Sequence, residues 1–222
     1  MENMVWSAIP EHPNIVGLIE VFIWDHKVYS VMELGSASLT DIIPIEKRYS
    51  LMLPPGMVLS IIRQIILGVL HLHANNFAHG DLKCDNVVIL ANDTIKLVDF
   101  GVTTRGDKIY HTAPYYGTSS WKSPNSLDRY TIAPLPDDIW SLGITIGEIV
   151  GMEPPFLDQS RNIHQIIRSI RELQAPPALP DLKCYGEEFE RKIHALLSGC
   201  LKMIPDERLT ASQLLDVFDG KN

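Results

Sequence analysis

The spacing of apolar residues changes along the chain, and each change marks a different kind of element. Residues 15–23 and 27–33 are short apolar or alternating stretches on either side of Trp24-Asp25-His26-Lys27, which predicts a β-hairpin. Before them, the first residues read as a short helix stopping near Pro10, and His12-Pro13-Asn14 reads as a turn. Gly35-Ser36-Ala37-Ser38 is a break, with Ser38 placed to cap a short helix from Leu39. Between 57 and 74 the period lengthens. Val58, Ile61, Ile62, Ile65, Val69 and Leu72 recur at three- and four-residue spacing, the mark of a helix with one buried stripe.

Beyond residue 79 the pattern shortens again. Val87-Val88-Ile89-Leu90 and Thr94-Ile95-Lys96-Leu97-Val98 are β-type runs joined by the turn composition Ala91-Asn92-Asp93. Residues 102–135 are rich in Thr, Tyr, Ser, Gly and Pro, without a period, and read as one long loop. Such loops in compact domains are functional or disordered. Residues 138–150 are helical and strongly apolar, hence buried. Further helices are predicted near 160–172, 186–202 and 210–219, separated by prolines at 154, 155, 176, 177, 180 and 205. The order is strands, helix, hairpin, long loop, then helices, an α+β chain without internal repeats.

Composition narrows the function classes. The 222 residues, 45% hydrophobic and 21% charged, suit a soluble globular domain. A net charge of −8 makes nucleic acid or an anionic membrane a poor expectation as partner. The three cysteines form no CxxC pair, so neither a zinc site nor a disulfide framework is expected. A reducing, intracellular compartment fits them, with cytoplasm as the expectation and the nucleus left open. The N-terminus has no signal-peptide pattern. The most apolar stretch, Ile61 to Leu72, is interrupted by Arg63, Gln64 and His71. His71 and His73 share no helix face and have no acidic companion at metal spacing, so they are not expected to bind a metal.

The chemistry concentrates in His79-Gly80-Asp81-Leu82-Lys83-Cys84-Asp85-Asn86 and, thirteen residues later, Asp99-Phe100-Gly101. Asp81 and Lys83, two apart in an extended loop, point the same way. Asn86 stands at the entry to one strand of the hairpin and Asp99 at the exit of the other, so Asp81, Asn86 and Asp99 can converge. Phosphoryl transfer from ATP needs such a set. A carboxylate orients and deprotonates the hydroxyl, oxygen ligands hold Mg²⁺, and a cation offsets charge on the γ-phosphate.

The arrangement resembles the protein kinase pattern His-Arg-Asp-Leu-Lys-x-x-Asn followed by Asp-Phe-Gly. The resemblance implies a protein-kinase-like α+β fold with a mostly helical C-lobe and a truncated N-lobe sheet. Residues 1–34 would be the N-lobe remnant (C helix, strands 4 and 5) and 35–222 the C-lobe. It implies Asp81 as catalytic base, Lys83 as the γ-phosphate contact of serine/threonine kinases, and Asn86 and Asp99 as Mg²⁺ ligands. Val31-Met32-Glu33-Leu34 resembles the strand running into the hinge, with Met32 at the gatekeeper position or simply packed in the core. Backbone groups of Glu33, Leu34 and Gly35 would then meet adenine, and Val88 joins the ATP-binding set. Gly117-Thr118-Ser119-Ser120-Trp121-Lys122-Ser123-Pro124 resembles the end of the activation segment in the sterile-type group, with Thr118 seating the acceptor hydroxyl. Asp138 would accept hydrogen bonds from the catalytic loop, or cap a helix. Arg208 lies in what resembles the family's late arginine turn, and Leu18, His79 and Phe100 fall on its regulatory spine or in ordinary core. The implied activity is serine/threonine phosphorylation of a protein substrate using ATP and Mg²⁺, with room for a regulatory protein partner. The alternative is a pseudokinase acting as a scaffold.

Three departures qualify this. The Gly-rich loop and the Val-Ala-Ile-Lys strand have no counterpart, and Glu2 is the only candidate for the C-helix glutamate. The chain alone is therefore expected to be weakly active or inactive, and its gene product longer. Gly80 replaces the arginine that pairs with an activation-loop phosphate, arguing against control by loop phosphorylation, although Tyr110 and Thr112 are candidate sites. Asn125 replaces the glutamate that pairs with the late arginine. An arginine buried without its partner costs on the order of 3–5 kcal/mol, which an Asn hydrogen bond or another acid could offset.

Overall fold

The computed structural model describes residues 2–48, 53–107, 117–127, 133–156 and 162–221. Helix α1 (Glu2–Ala8) buries Val5, and the following Ile9 is buried too, just before Pro10 interrupts the chain. Strands β1 (Leu18–Trp24) and β2 (Lys27–Met32) then pair antiparallel, with Trp24 opposite Lys27. Asp25 and His26 both have positive φ, 46° and 58°, giving the two-residue turn whose twist matches the strands. Both faces of this hairpin carry exposed apolar residues, among them Ile23 at 74% and Trp24 at 68%.

A second sheet holds β3 (Ala37–Ser38), β5 (Val87–Ile89) and β6 (Ile95–Leu97) in the order β3-β5-β6. Ser38 caps α2 (Leu39–Arg48) as expected. Its Oγ accepts from the Asp41 N–H at 3.3 Å, while its own N–H donates to Asp41 Oδ2 at 2.9 Å. Helix α3 (Pro55–Ala74) begins on a proline, where a missing N–H costs nothing, and buries Val58, Ile61, Ile62, Ile65, Ile66, Val69 and Leu72. Each is worth about 1.5–3 kcal/mol relative to exposure. The helix is long and apolar enough to cross a membrane, but its stripe lies in the main core.

The predicted loop 102–135 is more structured than its composition suggests. Strand β4 (Phe77–Ala78) pairs with β7 (Thr104–Arg105), and 3₁₀ turns form at Ser119–Trp121 and Asn125–Leu127. Two-residue strands are too short to show a period. Helix α4 (Pro134–Ile149) starts four residues before Asp138, so Asp138 sits inside the helix and the N-cap alternative is excluded. Residues Asp138–Gly147 of α4 are all buried. Helices α5 (Ile163–Arg171), α6 (Glu187–Cys200) and α7 (Ala211–Asp219) complete the chain, α6 and α7 packing with α3 and α4. Tyr110 and Thr112 lie outside the described residues, as does the side chain of Glu2.

Candidate active site

The loop 79–86 is suspended from α4. Asp138, 2% exposed, accepts the His79 N–H at 2.6 Å and the Gly80 N–H at 2.8 Å on separate carboxylate oxygens. The His73 ring adds a third contact, Nε2 to Oδ2 at 3.1 Å. His73 thus has an acidic companion after all, 65 residues away, although no group of three His, Cys, Asp or Glu suited to a metal occurs among the described residues. His79 is fully buried. Its Nδ1 accepts the Asp81 N–H at 3.3 Å and its Nε2 lies 3.0 Å from the Val98 carbonyl, which together select the neutral Nε2–H tautomer. Burial lowers its pKa, against the opposing charge of Asp138. Its ring packs on Phe100 at 5.3 Å, and Trp6 meets the other part of Phe100 edge-on at 5.8 Å. Leu18 is partly buried at the start of β1; Trp6 is the aromatic neighbour that sequence reasoning missed.

Lys83 is extended (φ −166°, ψ 165°), which aims its side chain beside that of Asp81. Its Nζ donates to Thr118 Oγ1 at 2.8 Å and lies 3.6 Å from Asp81 Oδ2. The Asp81 carboxylate is gripped from two sides. Oδ1 accepts the Thr118 N–H at 2.6 Å, and Oδ2 accepts from Asn86 Nδ2 at 3.1 Å. Asn86 Nδ2 also donates to the Asp81 carbonyl at 2.8 Å, so the planar amide directs its oxygen away from Asp81. The Val98 N–H donates to the Asn86 carbonyl at 3.1 Å, setting Asn86 beside the end of β6, where Asp99 follows with φ 63° and an exposed side chain. One carboxylate, one amide oxygen and incoming phosphate oxygens form a donor set that fits Mg²⁺, which is seldom caged by protein alone.

Two glycines permit this convergence. Gly117 has φ 81°, and a Cβ there would stand 2.6 Å from the Gly80 carbonyl and 3.0 Å from Asp81 Oδ1. Gly80 has φ 84°, and its Cβ would meet the Val102 carbonyl at 2.8 Å. Both backbones are left-handed and too closely approached for a side chain.

On the hairpin side, Gly35 packs directly on Val88 and the Ser36 N–H donates to the Ile89 carbonyl at 2.8 Å. The Glu33 N–H is committed to the Gly17 carbonyl at 3.2 Å. The Glu33 side chain turns elsewhere, to Lys96 Nζ at 2.7 Å and the Gly17 N–H at 2.7 Å. Met32 is 37% exposed, so the core-packing alternative does not describe it.

Comparison with known proteins decides the family. Residues 1–217 match the profile of the protein kinase domain. The chain belongs to the protein kinase family. It is 32% identical over 211 residues to the serine/threonine-protein kinase STE20 of Candida glabrata, covering 93% of this chain and 21% of that protein. It is also 32% identical over 216 residues to serine/threonine-protein kinase 10-A of Xenopus laevis (94% and 22%). The match to the serine/threonine-protein kinase PAK mbt of Drosophila melanogaster is 31% over 206 residues (92% and 30%). The chain thus spans about a fifth to a third of the length of these relatives. These relatives are named serine/threonine-protein kinases, and the fold of this chain is that of a kinase domain with a small sheet region and a helical bulk.

Within that family frame, the Asn125 departure has an answer that sequence reasoning left open. Arg208, its side chain fully buried, donates from Nη2 to Asn125 Oδ1 at 2.6 Å and from Nη1 to Asp137 Oδ1 at 3.2 Å. Nε reaches the Lys202 carbonyl at 2.9 Å, Nη1 also reaches that of Pro136 at 2.9 Å, and the guanidinium lies over Trp140. Asp137 is therefore the acid that meets the late arginine. Burial raises its carboxyl pKa, and hydrogen bonds from Asn125 and Ser123 and the charge of Arg208 work against the rise.

Proposed function

We propose that this chain carries the phosphoryl-transfer centre of a serine/threonine protein kinase. Asp81 accepts the proton of a protein serine or threonine hydroxyl, Thr118 seats that hydroxyl, and Lys83 offsets charge on the γ-phosphate. Asn86 and Asp99 would hold Mg²⁺. Met32, the Glu33 carbonyl, Leu34, Gly35 and Val88 line the adenine side. His79, Phe100, Asp138 and Arg208 support the loop. The metal supplies charge neutralisation across the phosphates; the protein supplies position, which is most of the catalysis in this reaction class.

One observation carries the reading. The Asp81 carboxylate is held at both oxygens, by Thr118 and Asn86, while Lys83 bridges from Asp81 to Thr118. A carboxylate fixed in this way, with an ammonium alongside, is aimed at a reacting group rather than merely capping a turn.

The adenine side is less enclosed. Leu34 is 91% exposed and Met32 37%, so ATP would be gripped from the C-lobe and little from above. The 222-residue chain alone should therefore transfer phosphate slowly. Radiolabelled ATP with a generic protein substrate tests this, with Asp81→Asn as control. Slow transfer that the substitution abolishes is the expected result. Transfer that persists in Asp81→Asn refutes the assignment of the base. No transfer, with no Mg²⁺-ATP-dependent rise in melting temperature, favours the scaffold reading.

A further inference from the structure

The segment 117–127 and the helix behind it show an exchange of charge. At position 125 the family pattern has a glutamate facing the late arginine; here an amide stands there and the acid has moved to α4. Asp137 gathers four hydrogen bonds on one partly buried carboxylate. Oδ1 accepts from Ser123 Oγ at 2.8 Å, Asn125 Nδ2 at 2.6 Å and Arg208 Nη1 at 3.2 Å; Oδ2 accepts the Ala133 N–H at 3.0 Å. The ammonium of Lys122 loses hydration, which lowers its pKa, and Asp137 is the foremost of three aspartates opposing that shift, ahead of Asp81 and Asp138.

These contacts have a direction. Ser123 and Asn125 lie five and seven residues after Thr118, whose N–H and Oγ1 engage Asp81 and Lys83. Ser123 Oγ in turn accepts the Ser126 N–H at 3.3 Å, and the Ser141 hydroxyl holds the Trp121 carbonyl at 2.9 Å. The segment that presents Thr118 is thus pinned to the first turns of α4. Asp138, the next residue, pins the catalytic loop to the same turns. Adjacent carboxylates on one rigid helix set the two halves of the site against each other.

We propose that Asp137 is a positioning residue that replaces the family's activation-segment glutamate: it neutralises Arg208 from the helix side and so fixes Thr118 against Asp81. That it serves an acceptor hydroxyl rests on the function proposed above; that it anchors the segment does not. The exchange predicts mutual suppression. In Asp137→Asn, Arg208 faces two amides. In Asn125→Glu, two carboxylates crowd one arginine. The double variant restores one carboxylate and one amide with their places exchanged.

Amide hydrogen exchange on the full chain tests the anchor without requiring catalysis. In each single variant, exchange at Thr118 and Ser126 should accelerate about 10-fold or more, as expected when a buried, coupled charge pair is disturbed. Exchange at residues 79–86 should stay unchanged, because Asp138 still holds that loop. The double variant should return to within about 3-fold of the parent, since coupled sites are non-additive. Additive acceleration in the double variant, or an equal rise across 79–86, overturns the proposal. Should Asp137→Asn not fold, the comparison of Asn125→Glu with the double variant decides: the double should melt higher, and an equal or lower melting temperature overturns the proposal. Phosphoryl transfer is measured alongside. In a transferring chain, Asp137→Asn should raise KM for the protein substrate more than KM for ATP, with rescue in the double variant; an equal rise counts against it. Absence of transfer in the parent counts against the function alone and leaves the exchange result to judge the anchor.

Discussion

Asp138→Ala is the substitution that most directly measures how the catalytic loop is held. The carboxylate accepts two backbone N–H groups, at 2.6 and 2.8 Å, and touches the His73 ring at 3.1 Å. Truncation leaves those two N–H groups without an acceptor. The His79 end is fully buried and the Gly80 end partly so. An orphaned buried donor costs about 1–3 kcal/mol. The first lies toward the upper end and the second at the lower, so the loss is about 3–4 kcal/mol. Against a total stability of about 5–15 kcal/mol for a domain, that is a large share. Asp138→Asn keeps one acceptor oxygen and sets an NH₂ against the other donor, so its cost falls between wild type and the alanine variant. Urea denaturation reads both. With m of about 2–3 kcal/mol/M, the alanine midpoint should fall by about 1–2 M. The matched control is Asp81→Asn, which removes charge from the neighbouring Asp81 carboxylate and leaves the suspension from α4 intact. A midpoint for Asp138→Ala within about 0.2 M of wild type, at unchanged m, would mean that water or another group satisfies the loop, and the reasoning fails.

Gly80→Arg restores the residue of the family pattern but meets a left-handed backbone and the Val102 carbonyl at 2.8 Å. It should cost at least about 1–2 kcal/mol, read as a lowered melting temperature, and a neutral result would show that the loop can switch conformation freely. For Glu33, the hydrogen bond from Lys96 holds the carboxyl below its ordinary range. Its contribution is fully present above the unfolded carboxylate pKa and is lost as pH falls through the lowered folded value. Lys96→Met should therefore flatten that part of the acid limb in melting curves, and an unaltered limb assigns it to other groups. Cys84 and Cys200 are buried, and burial pushes the Cys200 thiol far up, whereas Cys184 is exposed. An aromatic disulfide reagent should therefore titrate one thiol in the native chain and all three after denaturation.

What could be read ahead of the structure follows the range of the interaction involved. The α3 stripe, the 24–27 turn and the Ser38 cap depend on neighbours within a few residues, and all three form as read. The closeness of Asp81 and Asn86 was legible through a motif whose spacing encodes a hairpin, and that of Thr118 through the resemblance of 117–124 to an activation segment, neither through any local propensity. The pairing of β4 with β7 was invisible because two residues carry no period. Trp6 was missed because α1 and Phe100 meet only once the core has closed. Asp137 shows the limit most sharply. The motif at 138–143 draws the eye to Asp138, and its neighbour has no family role to inherit. Its partner Arg208 lies 71 residues away, and its relation to Asn125 exists only across the packed start of α4. The sequence did contain one signal: an arginine whose family partner was an amide left room for an Asn hydrogen bond or for another acid, because a buried guanidinium without its charge partner is costly. That signal allowed a nearby acid without saying which. The choice between Asp137 and Asp138 is made by a helix that begins at Pro134 and spends its second aspartate on the catalytic loop, leaving the first to turn toward the arginine.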